Sequence, residues 1–169
     1  MTVRSFVDAN VFVYARDPRD PRKQARAAQW LELLWNERAG RTSMQVLCET
    51  YVVLTRKRGT PADDAWRRVE RYFAWNPQPV DERILRAARE IQYAHPLSWW
   101  DAMVVAAAQL QACSVLLTED LQDGQVFGSL RVRDPFLHEV REAEAEYEVK
   151  AASRSVHRPR GRPRRTPAL

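Results

Sequence analysis

Hydrophobic positions along the chain fall into short unbroken runs separated by longer stretches with helical spacing. Residues 3–8, with Val3, Phe6 and Val7 as their apolar positions, read as a short first strand ending on Asp8. Val11–Ala15 follows as a short helix that Pro18 and Pro21 end. Across residues 22–38, Ala25, Ala28, Leu31, Leu34 and Trp35 recur on one helical face, and Gly40 stands where it would stop that helix. A brief strand is expected near Arg41–Thr42. Ser43 is then placed to cap a helix that runs to about Lys57 and ends at Gly59. Thr60-Pro61-Ala62-Asp63 opens a helix to about Trp75, with proline in its first turn. Pro77 and Pro79 break the chain before a helix over 81–94, which Pro96 follows. Ser98 opens a very apolar helix through about Ala112, and Ser114–Thr118 reads as a short buried strand. Gly124 and Gly128 mark loops, Leu130–Val132 a last strand, and Leu137–Lys150 a charged final helix.

Strands that alternate with helices predict an α/β fold with a short, mostly parallel central sheet flanked by helices. Sites in such sheets form beyond the carboxyl ends of the strands, and Asp8 and Asp120 both fall there. The length, 169 residues, fits one domain. Charge divides it. Seven of the 27 basic residues lie in 150–169 with no acidic residue, which leaves 1–149 with 20 basic against 22 acidic residues, a net of −2. We therefore expect a globular domain over 1–149 and a basic, disordered tail over 150–169. No apolar run approaches the roughly 18 residues of a membrane span. Asp8 comes too early for the apolar segment of a signal peptide, so a soluble cytoplasmic protein is expected. Cys48 and Cys113 have no partner at zinc spacing and read as small reduced core residues.

Four acidic residues sit in unusually apolar settings: Asp8 after Phe6-Val7, Glu49 within Val46-Leu47-Cys48-Glu49-Thr50-Tyr51-Val52-Val53, Asp101 before Ala102-Met103-Val104-Val105, and Asp120 after Val115-Leu116-Leu117-Thr118. Each has a structural explanation. Asp8 can cap the next helix, Asp101 stands three residues after Ser98 at capping-box spacing, Glu49 can pair with Arg56, and Asp120 can be a turn residue. Together, carboxylates at apolar element ends repel one another and resist burial unless a cation neutralises them. A hard ion held by carboxylates, waters and substrate phosphates is the arrangement Mg²⁺ or Mn²⁺ takes. Such an ion can activate water for displacement at phosphorus. No Walker-type glycine loop and no G-x-S-x-G elbow competes with this reading, and His95, His138 and His157 are scattered singly.

Phe6-Val7-Asp8-Ala9-Asn10-Val11 resembles the opening motif of the PIN-domain ribonucleases, the family that supplies the toxins of VapBC toxin–antitoxin pairs. Glu49 matches the family's second acid, Ser98-Trp99-Trp100-Asp101-Ala102 its third motif, and Leu116-Leu117-Thr118-Glu119-Asp120 its Thr-x-Asp region. The resemblance spans about residues 3–137 with order and spacing intact. It implies a PIN-like fold and a Mg²⁺ or Mn²⁺ site formed by Asp8, Glu49, Asp101 and Asp120, with Asn10 and Thr118 supporting it by hydrogen bonds. Glu119 and Asp123 flank Asp120, and either can be a ligand instead or in addition. The implied reaction is cleavage of single-stranded RNA by metal-activated water, leaving 5′-phosphate and 3′-hydroxyl ends, with Glu49 orienting or deprotonating the water. The implied partners are a VapB-type antitoxin and a second copy in a homodimer.

Two further features bear on function. Arg158-Pro159-Arg160-Gly161-Arg162-Pro163-Arg164-Arg165 resembles an AT-hook, in which arginines enter the narrow minor groove of A·T-rich DNA; the alternative is a generic basic tail. Trp30, Trp35 and Trp66 fall at helical spacing as packing residues. Trp99 and Trp100 border the acidic site, to bury the start of its helix or to stack on a base. Competing functions are a non-toxin PIN nuclease in RNA processing, a PIN-like module tethered to nucleic acid by its tail, and a haloacid-dehalogenase-like phosphatase. The last usually needs Asp-x-Asp, where this chain has Asn10.

Overall fold

The computed structural model describes residues 3–138 and 140. Its strands are β1 (Ser5–Val7), β2 (Gly40–Arg41), β3 (Val115–Leu117), β4 (Val126–Phe127) and β5 (Leu130–Arg133). They form one sheet in the order β2-β1-β3-β5-β4, parallel throughout except for the β4–β5 hairpin. Phe6 pairs with Arg41 on one side and Leu116 on the other, and Leu116 with Val132. All of β1 and β3 is buried because both faces of the parallel sheet are covered there, whereas β5 alternates buried Leu130 and Val132 with half-buried Arg131 and Arg133.

The helices are α1 (Ala9–Tyr14), α2 (Pro21–Asn36), α3 (Met44–Val52), α4 (Ala62–Glu70), α5 (Glu82–Ala94) and α6 (Trp99–Leu110). Side-chain caps set most of their starts: Asp8, Asp20, Ser43, Asp81 and Ser98 each accept a backbone N–H of the first turn. Helix α6 is buried along Ala102–Ala108, which explains its nearly uniform apolar sequence. A π-turn over Val53–Lys57 continues α3, and a 3₁₀ turn over Arg71–Trp75 continues α4.

Several expectations are corrected. Gly40 does not stop α2. The stop is Arg38, in the left-handed region at φ 54°, with Ala39 N–H donating to Leu34 O at 3.0 Å. Gly40 lies in β2, where a Cβ would come within 2.4 Å of the Trp75 ring. The buried stripe of α2 is Ala27, Trp30, Leu31 and Leu34 rather than one through Ala25 and Ala28. Trp30 turns inward and donates its indole N–H to Pro135 O at 3.3 Å. Cys113 is buried, and that burial pushes its thiol up to about 12, but Cys48 is exposed on the outer side of α3. Trp66 is 49% exposed and Trp100 62%. Strand β4 was not expected. The final helix over 137–150 and the tail lie almost wholly outside the described residues. Among the described residues no helix is long and apolar enough to cross a membrane.

Candidate functional site

The sheet's topology gathers the acids. Strands β1 and β3 are parallel neighbours, so their carboxyl ends open at the same edge and bring Asp8 and Thr118 side by side. Asp8 is buried at the turn from β1 into α1. Its Oδ1 accepts the Ala9 N–H at 2.7 Å and its Oδ2 accepts the Thr118 hydroxyl at 2.8 Å. Both the capping role and the link to the far acid are therefore present in one side chain. Thr118 Oγ1 in turn accepts from Asn10 Nδ2 and from the Asp120 N–H, each at 3.1 Å. The same Asn10 amide donates to Asp120 Oδ2 at 3.1 Å. Asn10 Oδ1 is buried and has no donor.

Glu49 and Asp101 complete the group from two helices. Glu49 stands on α3 and is exposed. It makes no ion pair with Arg56 among the described residues. Asp101 lies in the first turn of α6, where Ser98 Oγ accepts its N–H at 3.1 Å and donates to its Oδ2 at 2.6 Å. The capping-box geometry is thus real, and it leaves the second Asp101 oxygen uncommitted.

Electrostatics ties the four together. Burial raises the Asp8 carboxyl to about 7, against the lowering pull of Thr118 and Ala9, and the charges of Asp120 and Glu49 raise it further. Glu49 is also raised, by burial of part of its side chain and then by Asp120 and Asp101, while Lys57 lowers it. The two neighbouring candidates point elsewhere. Glu119 is ion-paired with Lys23, whose ammonium also lies over the Tyr14 ring at 4.4 Å. Asp123 accepts the Asp134 N–H at 2.9 Å and contacts His138 at 3.0 Å. Lys23 is the residue the sequence did not point to: nothing in its spacing marks it as the cation that draws Glu119 away.

A hard cation suits this donor set. Every candidate ligand is an oxygen, the neighbouring charges help raise the Asp8 and Glu49 carboxyls, and Asn10 Oδ1 is an unspent acceptor beside them. As placed, no three His, Cys, Asp or Glu side chains among the described residues converge closely enough to hold one ion.

A groove of about 770 Å³ lies among α1, α2, α3 and α4. Phe12, Leu31, Trp35, Leu47, Leu54 and Tyr72 line it, with Arg16, Arg67, Arg68 and Arg71 outnumbering Glu32 and Asp64, the latter paired with Arg67.

The model of the PIN domain family matches residues 5–122. No curated protein sequence matches the chain. Among solved structures, the sarcin-ricin-loop-cleaving toxin VapC20 of Mycobacterium tuberculosis is similar at 21% identity and a TM-score of 0.54, covering 69% of this chain and 89% of that one. A toxin–antitoxin complex from Klebsiella pneumoniae gives 18% and 0.57, covering 80% and 99%. A DNA-bound VapBC complex from Salmonella typhimurium gives 15% and 0.55, covering 79% and 99%. At these identities the likeness is one of fold.

Proposed function

The chain belongs to the PIN-domain family, and from that premise we propose that it is a Mg²⁺- or Mn²⁺-dependent endoribonuclease acting on single-stranded RNA as the toxin of a toxin–antitoxin pair. The observation that carries the reading is the hydrogen-bonded network joining Asp8, Thr118, Asn10 and Asp120 at one sheet edge, with the charges of Glu49 and Asp101 close enough to act on neighbouring carboxyls. A purely structural role does not account for it, since mutual repulsion opposes folding.

In this reading Asp8, Glu49, Asp101 and Asp120 hold the ion. When bound, it would lower the pKa of a water and neutralise charge developing on the phosphate. Thr118 fixes the Asp8 carboxyl, and Asn10 fixes Asp120 while tying it to Thr118. Glu49 is exposed and its pKa is raised, so it suits taking a proton from the attacking water. Lys23 holds Glu119 aside, which keeps a fifth negative charge off the incoming phosphate. The exposed Trp100 ring, next to Asp101, suits stacking on an unpaired base. The products would carry 5′-phosphate and 3′-hydroxyl ends.

A VapB-type antitoxin is the proposed partner. The apolar floor of the groove between α1, α2, α3 and α4 suits an amphipathic helix, and its arginines suit acidic residues flanking that helix. We also propose a cytoplasmic homodimer. Exposed Met44, Val52, Trp66 and Phe73 give α3 and α4 an apolar surface for it. The basic tail is proposed as a separate nucleic-acid contact. Expression of the chain alone should arrest growth of its native host, and Asp101→Asn should relieve the arrest. Equal toxicity of that variant would show that nuclease action is not its cause.

A further inference from the structure

Three consecutive basic residues, Arg56, Lys57 and Arg58, end the helical stretch that begins with α3. Arg58 is committed: its guanidinium pairs with buried Asp17 at 3.2 Å, and Arg19 holds the other side of that carboxylate. Lys57 is exposed and makes no ion pair or hydrogen bond with a described residue. We infer that Lys57 is a substrate-binding residue that holds a backbone phosphate of the RNA next to the one being cleaved, turned to the face of Glu49 by the π-turn that ends α3. The inference rests on reading the acidic cluster as a nuclease centre.

The argument is one of register. In an uninterrupted α-helix the residue eight positions after Glu49 lies about 80° around the axis from it, and the residue seven after lies within about 20°. A π-turn bonds i to i+5 and so takes up one extra residue. Here the Arg58 N–H donates to Val53 O at 3.1 Å, five residues back. The Thr55 hydroxyl donates to Tyr51 O at 2.9 Å, competing for a carbonyl that a regular turn would use. Lys57 therefore takes the place of a seventh residue, on the face of Glu49 and about 10 Å farther along the axis. Its charge is the one that lowers the Glu49 carboxyl against burial and two neighbouring acids. The Asp17–Arg58 pair pins the end of the turn to the loop after α1, so this register is held.

The position fits a flanking phosphate better than the scissile one. A cation meant to neutralise Glu49 would sit in contact with it, whereas Lys57 stands two turns along the helix and its ammonium makes no ion pair among the described residues. Beside a group of carboxylates, a cation without an ion pair among the described residues gives a polyanion a fixed point of attachment beyond the ion itself. Lysine suits that task as a flexible point charge.

The test is the affinity of the full chain for a short fluorescent single-stranded RNA with non-hydrolysable linkages, followed across salt concentration, beside cleavage of the ordinary RNA with Mn²⁺. Loss of one phosphate contact reduces the log–log salt slope by about 0.7 for a single strand. Lys57→Gln should show that reduction and bind about fivefold more weakly in moderate salt. It should raise KM with kcat nearly unchanged, and Lys57→Arg should restore the slope. An unchanged slope in Lys57→Gln overturns the inference, as does an effect confined to the pH profile of cleavage, which would make Lys57 a tuner of Glu49. A reduced slope in a protein that never cleaves RNA would instead keep the phosphate contact and remove the nuclease reading.

Discussion

Replacing Asp8 with asparagine should make the ion-free protein more stable at pH 8, even though it removes a side chain from the centre of the site. The carboxyl is buried, and that burial pushes it up to about 7 in the folded chain, against about 4 for a free aspartate. The folded state therefore binds an extra proton between those values, and stability falls as pH rises through that window. Fully ionised, the buried charge costs about 4 kcal/mol, from roughly 1.4 kcal/mol per unit of pKa difference. Asparagine keeps an acceptor for the Ala9 N–H, but its amide would face a Thr118 oxygen that already accepts from Asn10 and Asp120. That mismatch costs about 1–3 kcal/mol. The net gain at pH 8 is about 1–3 kcal/mol, or roughly 2–10 °C in Tm for a chain of this size. Wild-type Asp8 is largely protonated by pH 5, so about 2.5 kcal/mol of the gap disappears and the two proteins should converge or change order. The assay is thermal and urea unfolding in chelator at both pH values. Added Mn²⁺ should then stabilise the wild type and not the variant. An Asp8→Asn protein no more stable than wild type at pH 8, with a gap that pH does not move, would refute the argument that Asp8 is a buried charge awaiting a cation.

Two other expectations can be checked on the same preparations. Gly40→Ala should destabilise the fold by about 1–3 kcal/mol, because its new methyl would strike the Trp75 ring, which packs with Phe12, Trp35 and Tyr72; urea unfolding followed by tryptophan fluorescence reads this, and a loss below about 0.5 kcal/mol would contradict it. Deleting residues 151–169 should remove most of the salt dependence of duplex DNA binding, whose log–log slope is at most roughly −6 if all seven basic residues meet phosphates, and should leave cleavage of a short RNA at saturation intact. If the AT-hook likeness holds, A·T-rich duplex binds better than G·C-rich duplex, and replacing Arg160 and Arg162 removes the difference.

Local chemistry made much of this molecule legible before its fold was known. Ser43 and Ser98 announce their helices because a cap needs only its own next turn. Asp8 and Asp120 announce an edge because parallel strands share a direction. What stayed hidden depends on partners distant in the chain. Gly40 reads as a helix stop until Trp75 is seen against it, while Arg38 takes the left-handed position with no sequence signal. Asp120 matches the Thr-x-Asp motif, but its neighbours Glu119 and Asp123 stay open as ligands until Lys23 and His138 are seen to engage them. Strand β4 is two residues long, too short for alternation to register. Lys57 was invisible for a subtler reason: counted on a regular helix it falls off the face of Glu49, and only the π-turn returns it. Cys48 and Trp100 sit in apolar sequence yet are exposed, since an apolar neighbourhood along the chain does not fix which side of a helix is covered.

The central claim is that the four carboxylates cleave RNA by holding a divalent ion. Its most direct test is incubation of the purified full chain with a 5′-labelled single-stranded RNA, with Mn²⁺, with chelator, and with Mn²⁺ restored, beside Asp101→Asn. Asp101 is at the helix surface and its cap survives as an amide, so the variant should fold. The account predicts cleavage with Mn²⁺, none with chelator, recovery on restoration, 3′-hydroxyl ends on the labelled products, and at least a hundredfold loss in Asp101→Asn, about the size of one electrostatic contact to the reacting centre. Cleavage that persists in chelator, or that proceeds undiminished in Asp101→Asn, would contradict it.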